Sequence, residues 1–210
     1  MNPVGTDFPF LNKHPMAPSH TQPLVSVGPA KALPAPVSLP APVLLTGGQG
    51  VASAAHRVMV AAVQAGQSPL VVSTGMDFDP YRLAVLARER GMDAQAVLSA
   101  VRVMRVMSVD QLLEALRQLY ARPSPGGVLL MRPQRLFGDP DLSEADAQFF
   151  HQRFLRAIRF YEGAGLPLMV VERTPCRQRP LMCERMRRAI PQQIPIDQLP
   201  ISGYVPWEKR

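Results

Sequence analysis

An α/β fold is predicted, with a mostly parallel sheet of about five strands and helices covering both of its faces. Three observations carry this prediction. Short apolar runs with little alternation recur at Val43-Leu44-Leu45, 69–73, 101–106, Val128–Met131 and 166–171. Segments with helical periodicity separate them, and glycine or proline punctuates the joins. A strand buried on both faces is apolar throughout, and strands alternating with helices pair in parallel.

The first run ends in Thr46-Gly47-Gly48-Gln49-Gly50, and residues 52–65 read as a helix closed by Gly66. Residues 80–90 form the next helix, with Pro80 in its first turn and Gly91 as its stop. Residues 108–120 are amphipathic, with Ser108 as cap and Leu112, Leu113, Leu116 and Leu119 on one side. Gly126-Gly127 introduces the fourth run. Residues 143–163 read as a long helix with Phe150, Phe154, Leu155 and Ile158 at helical spacing.

Both flanks differ from this middle. Residues 1–42 hold ten prolines and three charged side chains, Asp7, Lys13 and Lys31. Proline removes backbone donors and favours polyproline II, so this is an extended arm. Phe8, Phe10 and Leu11 form an apolar cluster in it, open to docking on a partner or on the chain's own domain. In 176–210 a basic helix and an extended tail are expected. Arg173, Arg177, Arg179, Arg185, Arg187 and Arg188 face one acid, Glu184. If Pro180 starts a helix, Leu181, Met182, Met186 and Ile190 make an apolar stripe along it. Such a helix can pack on the sheet, contact nucleic acid or dock on an acidic protein. Tyr204 and Trp207 read as docking residues or as a cover for the domain's own core.

Composition narrows the function classes. Hydrophobic residues make up 47% of 210, enough for a substantial core. No run of about 18 apolar residues exists, so no membrane span is expected. No signal-peptide pattern opens the chain, and a cytoplasmic protein is the expectation. The net charge of +7 and pI of about 10.1 permit an anionic partner without choosing one. Cys176 and Cys183 fit no compact metal motif and are expected as free thiols. His14, His20, His56 and His151 are not spaced for a metal site. Ser53 and Ser73 lack triad partners, and the methionines near strands read as adaptable core packing.

Two stretches go beyond a generic pattern. One is Ser73-Thr74-Gly75-Met76-Asp77-Phe78-Asp79-Pro80-Tyr81-Arg82-Leu83, followed by Val103-Met104-Arg105-Val106-Met107-Ser108 and its helix. The other joins Arg135-Leu136-Phe137, Gln152-Arg153-Phe154-Leu155-Arg156 and Gly165-Leu166-Pro167-Leu168-Met169-Val170-Val171. Their order and spacing resemble the RecA/RadA-type recombinase core, over residues 43 to about 174. The resemblance implies a three-layer RecA-like core over 43–175.

The departures from that family carry the functional expectation. A P-loop needs Gly-x4-Gly-Lys-Ser/Thr to cradle phosphates, neutralise them and hold Mg²⁺. Counted from Gly47, the matching positions hold Ala52, Ser53 and Ala54, although a glycine turn through Gly50 survives. The family's catalytic Glu falls near Gly75, its metal-supporting Asp near Met131 and its polar sensor pair near Glu172-Arg173. Phosphoryl transfer rests on these groups, so no catalysis and no cofactor are expected. Passive nucleotide binding through backbone amides stays open. In place of the family's DNA-contacting loop stand Asp139, Asp141, Glu144 and Asp146, which repel phosphate or serve as the acidic start of a helix capped by Ser143. The implied role is that of an accessory protein binding a RecA-like or other repair factor. The alternative is a structural subunit of a larger assembly without a nucleic-acid role.

Overall fold

The computed structural model describes residues 42–175 and 179–198. Within them, six strands form one all-parallel sheet in the order β3-β2-β4-β5-β1-β6. The strands are β1 (Val43–Gly47), β2 (Leu70–Ser73), β3 (Arg102–Arg105), β4 (Val128–Met131), β5 (Leu168–Arg173) and β6 (Gln192–Pro195). The helices are α1 (Val51–Gln64), α2 (Pro80–Glu89), α3 (Ala94–Ala100), α4 (Val109–Ala121), α5 (Gln134–Phe137), α6 (Glu144–Gly163) and α7 (Pro180–Ala189).

Local chemistry sets the helix starts. Asp79 caps α2, its Oδ1 accepting from Tyr81 N at 2.9 Å and Arg82 N at 3.1 Å, and Pro80 follows where no N–H is needed. Ser108 accepts from Gln111 N at 3.2 Å, while Gln111 Oε1 reaches back to Met107 N at 2.7 Å. Two orphan donors are thereby satisfied reciprocally at the start of α4. Ser143 accepts from Asp146 N at 3.1 Å, so Glu144 and Asp146 form the acidic first turn of α6, whereas Asp139 and Asp141 precede the helix.

Side chains alternate along the strands between two apolar layers. Val43, Leu45, Leu129, Met131, Met169 and Val171 pack with α1, α2 and α3 on one face. Leu44, Val128, Leu130, Leu168 and Val170 pack with α4, α6 and α7 on the other. The predicted doubly covered sheet is therefore present. Its strands β1, β4 and β5 are buried on both sides except at their ends.

Three elements extend the sequence-based picture: α3, α5 and β6. The last lies where the sequence carries little secondary-structure signal, and it joins the sheet beside β1, with Leu45 opposite Ile194. β3 is an edge strand with Arg102 and Arg105 exposed at its two ends. Cys183 corrects the expectation of free thiols: it is disulfide-bonded on the buried face of α7. A spacing that fits no metal motif says nothing against a disulfide. The only other cysteine in the sequence, Cys176, lies outside the described residues. Among the described residues, no helix is long and apolar enough to cross a membrane.

Candidate functional site

In an all-parallel sheet every strand ends on the same edge. Ligands of open α/β sheets sit there, where neighbouring strands send their connections to opposite faces. Three such crevices exist in this strand order: one at the edge, where β3 feeds α4 and β2 feeds α2 on opposite faces, and two inside the sheet. Of the inner two, one lies between β1, which feeds α1, and β5, which feeds α7. The other lies between β2, which feeds α2, and β4, which feeds α5 and α6.

The β1 crevice contains the glycine turn. Gly48 is open, but a Cβ on Gly47 would collide with the Ile196 side chain, and one on Gly50 would lie 3.0 Å from Ile196 Cδ1. Ile196 belongs to a 3-10 turn, Ile196–Gln198, that follows β6. Its side chain packs against Gly47 and Gly50, while Gly48, Gln49 and Gly50 stay exposed. At the start of α1, Ala52 and Ser53 are half-buried and Ala54 is buried. Ser53 Oγ accepts from Arg82 Nη2 at 3.3 Å.

The β2–β4 crevice is polar. Thr74 Oγ1 lies 3.0 Å from Met131 O and 2.7 Å from Arg132 O, tying the two strand ends together. Arg132 takes a φ of 55°, the left-handed region that disfavours a residue with a Cβ. Its own N–H, at 2.8 Å from Val171 O, helps hold it there, and its Nη1 donates to Asp77 Oδ1 at 2.9 Å. Asp77 Oδ2 and Arg132 Nε are buried with no hydrogen-bond partner. Gly75 is buried, and the Arg135 guanidinium occupies the space that a Cβ there would need.

Glu172 links the two inner crevices from the end of β5. It is 7% exposed. Its Oε2 accepts from Gln134 N at 3.1 Å and its Oε1 from Arg173 N at 2.9 Å. Burial raises its carboxyl to about 7, against the pull of those two N–H groups and of Arg132. Behind it, Gln134 Nε2 meets His151 Nε2 at 3.0 Å and Met186 Sδ at 3.1 Å. Burial first, and then the Arg185 charge, lowers His151 to about 4, so it is neutral near pH 7. His56 in α1 is lowered by burial as well, with Nδ1 at 2.6 Å from Ala52 O and Nε2 accepting from Asp79 N at 2.9 Å.

The sequence-selected residues thus divide. Gly47, Gly50, Ala52, Ser53 and Ala54 gather around the glycine turn, and Gly75 lies in the β2–β4 crevice. Met131 is fully buried and faces the α1–α3 layer, away from the polar edge. Arg173 and Arg185 are exposed. Arg179 is ion-paired with Glu144, and Arg187 and Arg188 lie 3.9 and 3.1 Å from Glu184. Arg177, Phe8, Phe10, Leu11, Tyr204 and Trp207 lie outside the described residues. The pairing of Asp77 with Arg132 and the seat of Ile196 were not apparent from the sequence. One signal was available: Glu172 and Arg173 end an apolar run, where a buried charge needs partners.

Among the described residues, no group of three or more His, Cys, Asp or Glu side chains is placed to hold a metal ion. No protein-family model and no curated protein matches the chain.

Proposed function

We propose that the chain is a non-catalytic RecA-like accessory protein that binds a partner protein in DNA repair or recombination. The observation that carries this reading is the replacement of the phosphate-binding lysine and the metal hydroxyl by Ser53 and Ala54 beside the glycine turn. A phosphate cradle needs open backbone N–H groups and a cation to balance the ligand's charge. Here Ile196 packs against Gly47 and Gly50, and Ala52, Ser53 and Ala54 stand where the glycine, the lysine and the metal hydroxyl would be needed. Met131, buried in the apolar layer, cannot support a metal. The crevice around Gly75 is engaged by Arg135. A chain of this kind acts through its surfaces. The setting in repair or recombination rests on the resemblance of 43–174 to the recombinase core.

The test uses the pure full-length chain. Neither phosphate release nor retention of ATP in equilibrium dialysis with Mg²⁺ is expected, and steady phosphate release would sink the reading. Affinity capture with mass spectrometry should enrich recombination or repair factors.

A second reading, a structural subunit without a nucleic-acid role, is favoured by one observation. Three of the basic side chains pair with acids of their own chain, Arg179 before α7 with Glu144, and Arg187 and Arg188 on the surface of α7 with Glu184. Anisotropy with single- and double-stranded DNA at two salt concentrations separates the readings, because binding to phosphate must weaken as salt rises.

A further inference from the structure

A groove of about 610 Å³ runs between α4 and α6, on the face of the sheet opposite α1. Its floor is apolar: Leu113, Leu116, Ala157 and Tyr161 line it. The Tyr161 hydroxyl is no exception, because it donates to Leu116 O at 3.0 Å. Two aromatic rings stand at its rim, Tyr120 at 43% and Phe160 at 58% exposure. Exposed aromatic area around an apolar depression marks an interaction surface.

The charges around the groove are lopsided. Arg117 is bidentate on Glu114, at 2.8 and 2.7 Å, and Gln118 also donates to that carboxylate at 2.8 Å. That pair is neutralised. Asp110 sits in the first turn of α4, where it complements the helix dipole. On the α6 side, Arg153 and Arg156 line the groove, and neither forms an ion pair among the described residues. Arg153 instead lies 5.7 Å from the centre of the Phe149 ring. An apolar trough between two helices, flanked by aromatic rims and unpaired guanidinium groups, complements one kind of occupant.

We propose that the α4–α6 groove is the docking site for an acidic amphipathic helix of a partner protein. Its apolar anchors, spaced i, i+3 or i+4, and i+7, would lie in the trough. Its Asp and Glu residues would meet Arg153 and Arg156, which can bind carboxylates bidentately. This deepens the partner-binding reading and rests on it.

The test pans a random peptide library displayed on phage against the full-length chain. The winning peptides are then measured by anisotropy. Enriched peptides should be net negative, with apolar residues at helical spacing. Phe160→Ala should weaken them about tenfold or more, the loss expected of an aromatic anchor. Arg153→Glu with Arg156→Glu should weaken them by a similar factor and remove their salt dependence. Both sets of changes lie at exposed positions, and circular dichroism checks the fold. A photoreactive group at a peptide anchor should cross-link to α4 or α6. Acidic peptides that bind both variants as well as the parent would overturn the groove while leaving the partner-binding reading intact. Enriched peptides lacking acidic residues would overturn it too. So would self-association, or DNA binding, that Phe160→Ala abolishes, since each would assign the groove to another occupant. Phosphate release by the pure chain would instead sink the non-catalytic reading and leave the groove standing.

Discussion

Ile196 packs against Gly47 so closely that no side chain fits on that glycine. The contact joins the first strand of the sheet to the turn after the last, across about 150 residues of chain, on the β6 side of β1. Gly47→Ala should therefore cost about 1–3 kcal/mol, the usual range for overpacking. Ile196→Ala should recover part of that loss, because the two substitutions share one contact. Urea denaturation of the four members of the cycle measures the coupling, and strict additivity would contradict the packing.

Glu172 should give the chain an unusual pH dependence. Its folded value, about 7, lies above the ordinary 4.5 of a carboxyl. Between those values the folded chain keeps a proton that the unfolded chain has lost, so stability falls as pH rises from about 4.5 to about 7 and is level above that. The loss from this group is on the order of 3 kcal/mol. His56 and His151 act in the opposite sense: each is held neutral in the fold, so acid below pH 6.5 favours the unfolded chain. The contribution of Glu172 is therefore read as the difference between the parent and Glu172→Gln. The substituted chain should show a steeper rise in stability between pH 5 and 7.

Arg132 carries two opposed contributions. Its left-handed backbone favours glycine, while its guanidinium pairs with the half-buried Asp77 and steadies the Glu172 carboxylate. Arg132→Gly should relieve about 1 kcal/mol of backbone strain and lose about 1.5–3 kcal/mol of charged hydrogen bonding. A net loss is expected. NMR titration should find the Glu172 carboxyl higher than in the parent, because a neighbouring positive charge is gone.

Tyr161 makes one hydrogen bond from α6 to the Leu116 carbonyl of α4, in the floor of the groove. Tyr161→Phe keeps the ring and removes the hydroxyl. It should cost about 1 kcal/mol by thermal or chemical denaturation. An unchanged midpoint would show that the hydroxyl contributes nothing to holding the two helices.

The doubly covered sheet was legible because its signal is local. Leu44, Val71, Leu129 and Val170 lie in continuous apolar runs, Pro80 opens one helix, and Ser108 and Ser143 precede the helices that they start. β6 was not legible: Gln192-Gln193-Ile194-Pro195 has neither alternation nor an apolar run, because an edge strand buries little. The glycine turn was visible, but its contact with Ile196 was not, since Ile196 reaches Gly47 only through the fold. Asp77 and Arg132 are 55 residues apart, and neither is marked by its neighbours as half of a pair. The groove was half visible. Leu113 and Leu116 announced an apolar helix side, whereas Tyr120 and Phe160 meet at 6.1 Å only once α4 and α6 pack together.

The arginines at the two ends of β3 bear on how copies of this chain meet. A second β3 approaching edge to edge about a two-fold axis would run antiparallel, bringing Arg102 of each copy near Arg105 of the other. Like charges facing across new strands oppose that pairing. At the far margin, β6 ends in Pro195, which has no N–H to offer a neighbouring strand. Among the described residues, the two margins of the sheet thus each carry an obstacle to growth into a continuous ribbon, one by repulsion and the other by a missing donor.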